Sequence, residues 1–339
     1  MKAARRPFVI AEAGVNHNGD PALAVRLVDA AADAGADAVK FQTFRAEALA
    51  TAAAPKAAYQ LRGDGKRESQ LDMLKRLELS PEGHRRALAR ARARGIRFLS
   101  TPFDEESADF LAALGVPVFK LPSGEVTNHP LLRHVARKGR PVILSTGMCT
   151  LAEVREAVAV LRRAGCRDLT LLHCVSSYPA DPKDANLRAM KTMADAFRLP
   201  VGWSDHTPGW ATAVAAVALG AAVVEKHFTL DKALPGPDHA MSLDPAELKA
   251  FVAAVREAAA CLGDGVKRPR PCEEAIRRVA RRSLVLRSPL PKGARLTAAD
   301  LTAKRPGTGL PPSRLASVVG RRLRRATPAG RPLRLADLA

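Results

Sequence analysis

VVEKHF, Val223–Phe228, has the make-up of a short buried strand that ends on polar side chains. Successive strand residues point to opposite faces, so Glu225 and His227 share one face and Lys226 leaves from the other, toward the helices. An acid and an imidazole together at a strand end suit metal binding or proton transfer better than packing. GWSDHT, Gly202–Thr207, supplies His206 at a second strand end. Two histidines from neighbouring strand ends are the start of a metal site.

Seven further runs share the grammar of this strand: Phe8–Ala13, Asp37–Gln42, Ile96–Ser100, Val116–Leu121, Pro141–Ser145, Leu169–Val175 and Pro200–Ser204. Each is short and nearly continuous in apolar residues, the pattern of parallel strands buried on both faces. Amphipathic segments separate them. Pro21–Gly35 follows Asp20 as N-cap, and Ser80–Gly95 and Thr150–Gly165 begin on capping hydroxyls and close on glycine. Eight such units predict an α/β fold, a (β/α)8 TIM barrel over residues 1–265. The turn AGVNHNG lacks the glycine spacing of a dinucleotide-binding fold. The long connection after the second strand, which contains Tyr59 and Gln60, reads as a flap over the barrel mouth.

The pattern changes after Leu262. Residues 266–280 are rich in Pro, Gly and charge and read as a linker. Residues 281–339 read as a small β-rich domain with an internal pseudo-repeat, LPKGARLTAADL against TPAGRPLRLADL. Residues 266–339 hold 19 Lys and Arg against 4 Asp and Glu, so most of the formal net charge of +20 lies there. Aromatic stacking residues are absent from this tail, which argues against a nucleic-acid role; a basic surface also recruits anionic substrates. No apolar run is long enough to span a membrane. The start, MKAARRPFVIAEAG, reads as a first strand rather than a leader. Five cysteines without paired spacing suit a reducing cytoplasm.

In a barrel the chemistry sits where strands end. Those ends supply Glu12, Asn16 and His17; Lys40 and Gln42; Thr101; Lys120, Ser123 and Glu125; Ser145 and Thr146; His173, Ser176 and Tyr178; Ser204 and His206; and Glu225 and His227. His173 is equally a hydrogen-bonded core residue. Lys40 and Lys120 point inward by strand phase. A buried ammonium needs a counter-charge, so each meets a bound anion or pairs with Glu12 or Glu125. The lysines with Ser123 and Ser204 suggest a phosphate or carboxylate site. Glu12, Glu125 and Glu225 offer proton transfer. The sum is an anionic, phosphorylated substrate beside a divalent metal.

AEAGVNHNGD, DAVKFQTF, FLSTPFD, FKLPSGE, ILSTGM, LLHCVSSYP, GWSDHTPG, VEKHFTL, PGPDHAMSL and KRPGTG occur in that order along the chain. Together they resemble the sialic acid (N-acetylneuraminate) synthase family, the phosphoenolpyruvate-dependent nonulosonate synthases. The tail resembles their SAF (antifreeze-like, β-clip) domain. The resemblance implies that phosphoenolpyruvate condenses with N-acetylmannosamine or a related 2-acetamido sugar and water. The products are a nine-carbon sialic acid and phosphate, released by C–O cleavage. It implies Mn2+, with Mg2+ or Co2+ as alternatives, on His206 and His227. It places phosphoenolpyruvate at Lys40, Thr101, Lys120, Ser123, Ser176 and Ser204, with Ser176 standing where some synthases have Asn. It places the sugar at Gln42, Tyr178, Asp238 and Arg305. Glu12 and Glu225 would move protons and Glu125 would orient the ligands. It further implies a homodimer, domain-swapped through the SAF domain, in which Arg305 contacts the N-acyl group. Legionaminic and pseudaminic acid synthases share these motifs, and FKLPSGEVTNHPLL leans toward the neuraminic/legionaminic side. The rival readings are a Schiff-base aldolase using Lys40 or Lys120 and a non-catalytic carbohydrate- or ice-binding SAF protein.

Overall fold

The computed structural model describes residues 6–57, 60–61 and 68–339; Tyr59 lies outside them. The chain divides into two compact units between Asp264 and Gly265. The first contains eight parallel strands: β1 Phe8–Gly14, β2 Ala38–Thr43, β3 Arg97–Pro102, β4 Phe119–Leu121, β5 Val142–Ser145, β6 Leu169–Cys174, β7 Val201–Asp205 and β8 Val223–His227. The hydrogen-bonded order is β3-β2-β1-β8-β7-β6-β5-β4, so the first and last strands of the chain order are neighbours. β3 and β4 pack against each other without a ladder and complete the barrel. β4 is shorter than the Val116–Leu121 run suggests. Pro117 has no N–H to give a ladder, and only Phe119–Leu121 pairs with β5.

The intervening helices start as their sequences dictate. Asp20 accepts from Ala22 N, Ser80 from Gly83 N, and Thr150 with Glu153 forms a reciprocal capping box. Gly95 takes the left-handed conformation that closes its helix, at φ +67°.

Strand alternation sorts the barrel into two cores. Val9, Phe41, Phe98, Leu144, Leu171, Trp203 and Val224 point outward into the main core with the helices. Ile10, Ala38, Leu99, Ile143, Leu172 and Val223 form a separate layer that plugs the barrel. Two residues farther along each of these strands the side chain again faces inward. Those positions are Glu12, Lys40, Thr101, Ser145, Cys174 and Glu225. One step along the strand therefore takes the interior from closed hydrocarbon to a ring of polar and charged groups.

The second unit pairs β9 Ser283–Leu286 with β10 Leu301–Lys304, antiparallel, over a core of leucines that includes Leu296, Leu323, Leu333 and Leu338. The pseudo-repeat is structural. Leu290 and Thr327, the first residues of the two phrases, exchange backbone hydrogen bonds. Asp300 and Asp337, at matching positions, accept from Thr297 N and Arg334 N, each at 2.8 Å. The segment expected as a linker is not all irregular: Glu274–Ala280 is helical, and Glu273 caps the turn before it by accepting from Arg270 N. Among the described residues no helix is long and apolar enough to cross a membrane.

Gly202, inward-facing on β7, is the position where this packing leaves no room. A Cβ there would lie 2.3 Å from Val223 O and 2.7 Å from Leu172 Cδ2. Gly202→Ala is expected to force β7 and β8 apart at the plug and lower stability by about 1–3 kcal/mol. An unchanged urea midpoint would show that the barrel has slack there.

Candidate active site

The polar ends of the strands open into a cavity of about 500 Å³. Glu12, Lys40, Gln42, Thr101, Lys120, Ser123, Glu125, Ser176, Tyr178, Ser204, His206, Glu225, His227 and Asp238 all line it. Of the residues that the family resemblance assigns to the site, only Arg305 is not among them. It belongs to the second unit, where its Nε donates to Ala280 O at 3.0 Å. Residues of the long connection after β2, among them Leu49, Gln60 and Met73, also line the cavity.

Four charged groups, each between 2 and 4 % exposed, form the floor. Lys40 Nζ lies 2.9 Å from Glu12 and 3.7 Å from Glu225, and it donates to Thr101 Oγ1 at 3.0 Å. Lys120 Nζ lies 3.2 Å from Glu225. The second lysine therefore pairs with Glu225 and not with Glu125, which sits on the Ser123–Glu125 turn and accepts from Asn128 Nδ2 at 2.6 Å. Ser204 Oγ donates to Glu225 at 3.3 Å, and Gln42 Nε2 to Glu12 at 3.3 Å.

Burial pushes the Glu12 carboxyl up to about 7 against the opposing pull of Lys40. Burial also raises Glu225, but Lys120 and Lys40 outweigh it and hold that carboxyl below its usual value. Burial lowers Lys40, yet Glu12 and Glu225 more than reverse this, whereas for Lys120 burial wins. With all four groups charged the floor is neutral, and a proton taken up by Glu12 near pH 7 makes it more positive and better suited to an anion.

His206 and His227 stand beside this floor with ring centroids 5.5 Å apart, and the Tyr178 ring lies 4.3 Å from His206. Burial holds His206 down to about 4 and His227 well below its usual value, so both rings are neutral at pH 7. His206 Nδ1 donates to Val175 O at 2.7 Å, which leaves the lone pair on Nε2. His227 Nδ1 is buried without a hydrogen-bond partner, 3.9 Å from Asp238. Two neutral imidazoles, one oriented by a backbone carbonyl and one with an orphaned ring nitrogen, fit a divalent first-row cation. Among the described residues no third His, Cys, Asp or Glu closes around them.

Ser123 Oγ accepts from Gly147 N at 2.8 Å and lies 3.2 Å from Cys174 Sγ. A Cβ at Gly147 would fall 2.4 Å from Ser176 Oγ, so the glycine lets these hydroxyls share one corner. Asp238 is buried, which pushes its carboxyl up to about 6. His173 turns outward, its Nε2 donating to Ala185 O at 2.9 Å and its ring packing on Trp203, and serves the core. Asn16 likewise serves the structure, its Nδ2 donating to Phe228 O and to the Ser242 hydroxyl. Cys174 lines the cavity and escaped the sequence reading; its phase, two residues past Leu172, was the available signal.

The NeuB family model matches residues 27–267, and the SAF domain model matches residues 281–339. This chain belongs to the NeuB family. Its similarity to family members is full-length. It is 52% identical to the N,N'-diacetyllegionaminic acid synthase of Legionella pneumophila over 96% of this chain and 93% of that one. It is 37% identical to human N-acetylneuraminate-9-phosphate synthase over 93% and 88% of the two chains. With the pseudaminic acid synthase of Helicobacter pylori it shares 33% identity over 98% of each chain. Among solved structures, N-acetylneuraminic acid synthetase from Leptospira borgpetersenii, in complex with citrate, superposes with a TM-score of 0.71 at 36% identity. That match covers 80% of this chain and 90% of the other.

Lys226 is not part of the cavity, yet it braces it. On the outer face of β8 its Nζ lies 3.0 Å from Asp205 Oδ2 and also donates to Thr207 O. Asp205 Oδ1 in turn accepts from Thr207 N and Oγ1. His206 lies between Asp205 and Thr207, and Lys226 between Glu225 and His227, so one buried ion pair ties the two histidine-bearing strand ends together. Lys226→Met strands Asp205 as a buried carboxylate. It is expected to cost about 3–5 kcal/mol of stability, measurable by urea unfolding at pH 7; a change within experimental error would show that the pair holds nothing.

Proposed function

We propose that this chain is a phosphoenolpyruvate-dependent nonulosonate synthase whose acceptor is a hexose bearing two acetamido groups, so that the product is an N,N'-diacetyllegionaminic acid. The carrying observation is the shared cavity, in which a buried floor of two lysines and two carboxylates meets a pair of neutral histidines. The choice of acceptor rests on identity, 52% to the legionaminic synthase against 37% and 33% to the neuraminate-9-phosphate and pseudaminic synthases. On that ground legionaminic chemistry replaces the N-acetylmannosamine acceptor as the leading reading.

In this reading Lys40, Lys120, Thr101, Ser123, Ser176 and Ser204 receive the phosphate and carboxylate of phosphoenolpyruvate. Carbon 3 of phosphoenolpyruvate bonds to the acceptor aldehyde carbon, water adds at carbon 2, and phosphate leaves with cleavage of its bond to that carbon. A divalent cation held by His206 and His227, Mn2+ first and Mg2+ or Co2+ as alternatives, would polarise the acceptor carbonyl. Glu12 pairs in register with His227 and carries a proton near neutral pH, so it can protonate the acceptor oxygen as charge develops. Glu225, ionised between the lysines, is placed to take the proton of the attacking water. Gln42, Tyr178 and Asp238 orient the sugar. The same reading includes a homodimer in which Arg305 of one copy serves the acceptor of the other. A Schiff-base mechanism fits less well at Lys40, because Glu12 and Glu225 hold it in its charged form; at Lys120, which burial lowers, borohydride trapping decides.

Phosphate release from phosphoenolpyruvate, assayed with Mn2+ across a panel of acceptors, tests this. The diacetamido hexose should turn over fastest, and phosphoenolpyruvate labelled with 18O in its bridging oxygen should give labelled phosphate. Unlabelled phosphate, or a borohydride-trappable adduct, would refute C–O cleavage. Faster turnover of N-acetylmannosamine would return the acceptor to the neuraminate class. His206→Ala and His227→Ala should each abolish Mn2+ binding in calorimetry while shifting the melting temperature little. Wild-type affinity in either variant would remove that histidine from the site.

A further inference from the structure

The cavity has a second wall of different chemistry. Val15, Phe44, Met73 and Leu77 form a hydrophobic cluster separate from both barrel cores, and Leu49, Leu74 and Phe103 pack on it half-buried. All of these except Phe44 line the cavity. They come from the turn after β1, the connection after β2, and the end of β3. The wall is built to hold its shape. Phe44 and Phe103 meet edge to face with ring centroids 6.0 Å apart. The helix Gln70–Leu77 is capped by Ser69, and Glu78 beyond its end accepts from Ala46 N at 2.6 Å, tying it to the helix Ala46–Leu49.

We propose that this wall takes the methyl-bearing substituents of the acceptor, the second acylamino methyl first among them, and so selects doubly N-acylated hexoses over singly acylated, more hydroxylated ones. The inference rests on the condensation reading above. The charged floor and its hydroxyl groups match the phosphate and carboxylate of one substrate. Gln42, Tyr178 and Asp238 supply polar partners for a carbonyl, an amide and a few hydroxyls. Leu49, Leu74 and Phe103 have no hydrogen bond to offer. A sugar hydroxyl placed against them would lose its water and gain no partner, whereas an acyl methyl gains from burial. A hydrophobic pocket of this kind discriminates by roughly ten- to a hundredfold between such substituents.

Leu74→Gln puts a polar side chain on the wall at a half-buried position. The ratio of kcat/KM for the diacetamido hexose over that for N-acetylmannosamine should fall about tenfold, with the KM for phosphoenolpyruvate unchanged; Leu74→Met should restore the ratio. Leu49→Asn, on the neighbouring helix, gives the same readout if Leu74→Gln does not fold. Equal loss toward both acceptors, or a loss confined to phosphoenolpyruvate, would overturn the assignment. If the wild type turned over neither acceptor, the condensation reading would fall by itself. Calorimetric titration of the two sugars would then still decide the wall: Leu74→Gln must weaken the diacetamido hexose more than N-acetylmannosamine, and equal weakening overturns it.

Discussion

The buried charges at the end of the barrel interior constrain everything else. Lys40, Lys120, Glu12 and Glu225 lie almost fully out of water, where an unpaired ammonium or carboxylate is strongly disfavoured. They are tolerated because each lies within 4 Å of an opposite charge and because the hydrocarbon plug beneath fixes the strand spacing. The arrangement is also incomplete as a neutral cluster. Glu225 accepts from Ser204 through one oxygen, and its other oxygen has no hydrogen-bond partner. Glu12 is held near the pH at which it gains or loses a proton. Such a floor is stable enough to persist, and a proton taken up by Glu12 frees positive charge for an incoming anion.

The plug and the outer core make that floor possible. Six strands carry an apolar residue inward and then, two positions on, the group that faces the cavity. Outside, the Lys226–Asp205 pair holds the ends of β7 and β8 in register, and with them His206 and His227. Capped helices keep the strands fully buried on their other face. The floor, the histidine pair and the apolar wall are thus three surfaces of one cavity, each anchored by a different part of the fold.

Much of this was legible in the residues. Period-two alternation placed Lys40, Lys120, Glu225 and His227 inward and Lys226 outward, and the structure agrees at each. The N-caps Asp20, Ser80 and Thr150 stand where their side chains indicated. The repeated phrases of the tail occupy equivalent positions. Partner choice was not legible. Glu125 follows Lys120 closely in sequence but turns away to Asn128, while Glu225, about a hundred residues on, reaches Lys120 from across the barrel. His173 stayed ambiguous between site and core until its neighbours Trp203 and Ala185 were seen.

The sequence by itself determined the order and phase of eight strands, the ends of several helices, the break into a basic second unit and the polar character of the strand ends. These are local properties, set by side-chain alternation, backbone capping and composition over a few residues. Only the tertiary structure decided which carboxylate neutralises which lysine, that the histidines stand within one ring's reach of Tyr178, and that the segment after β2 brings an apolar wall to a charged floor. Those depend on distances between strands far apart in the chain, and closure of the barrel sets them all at once.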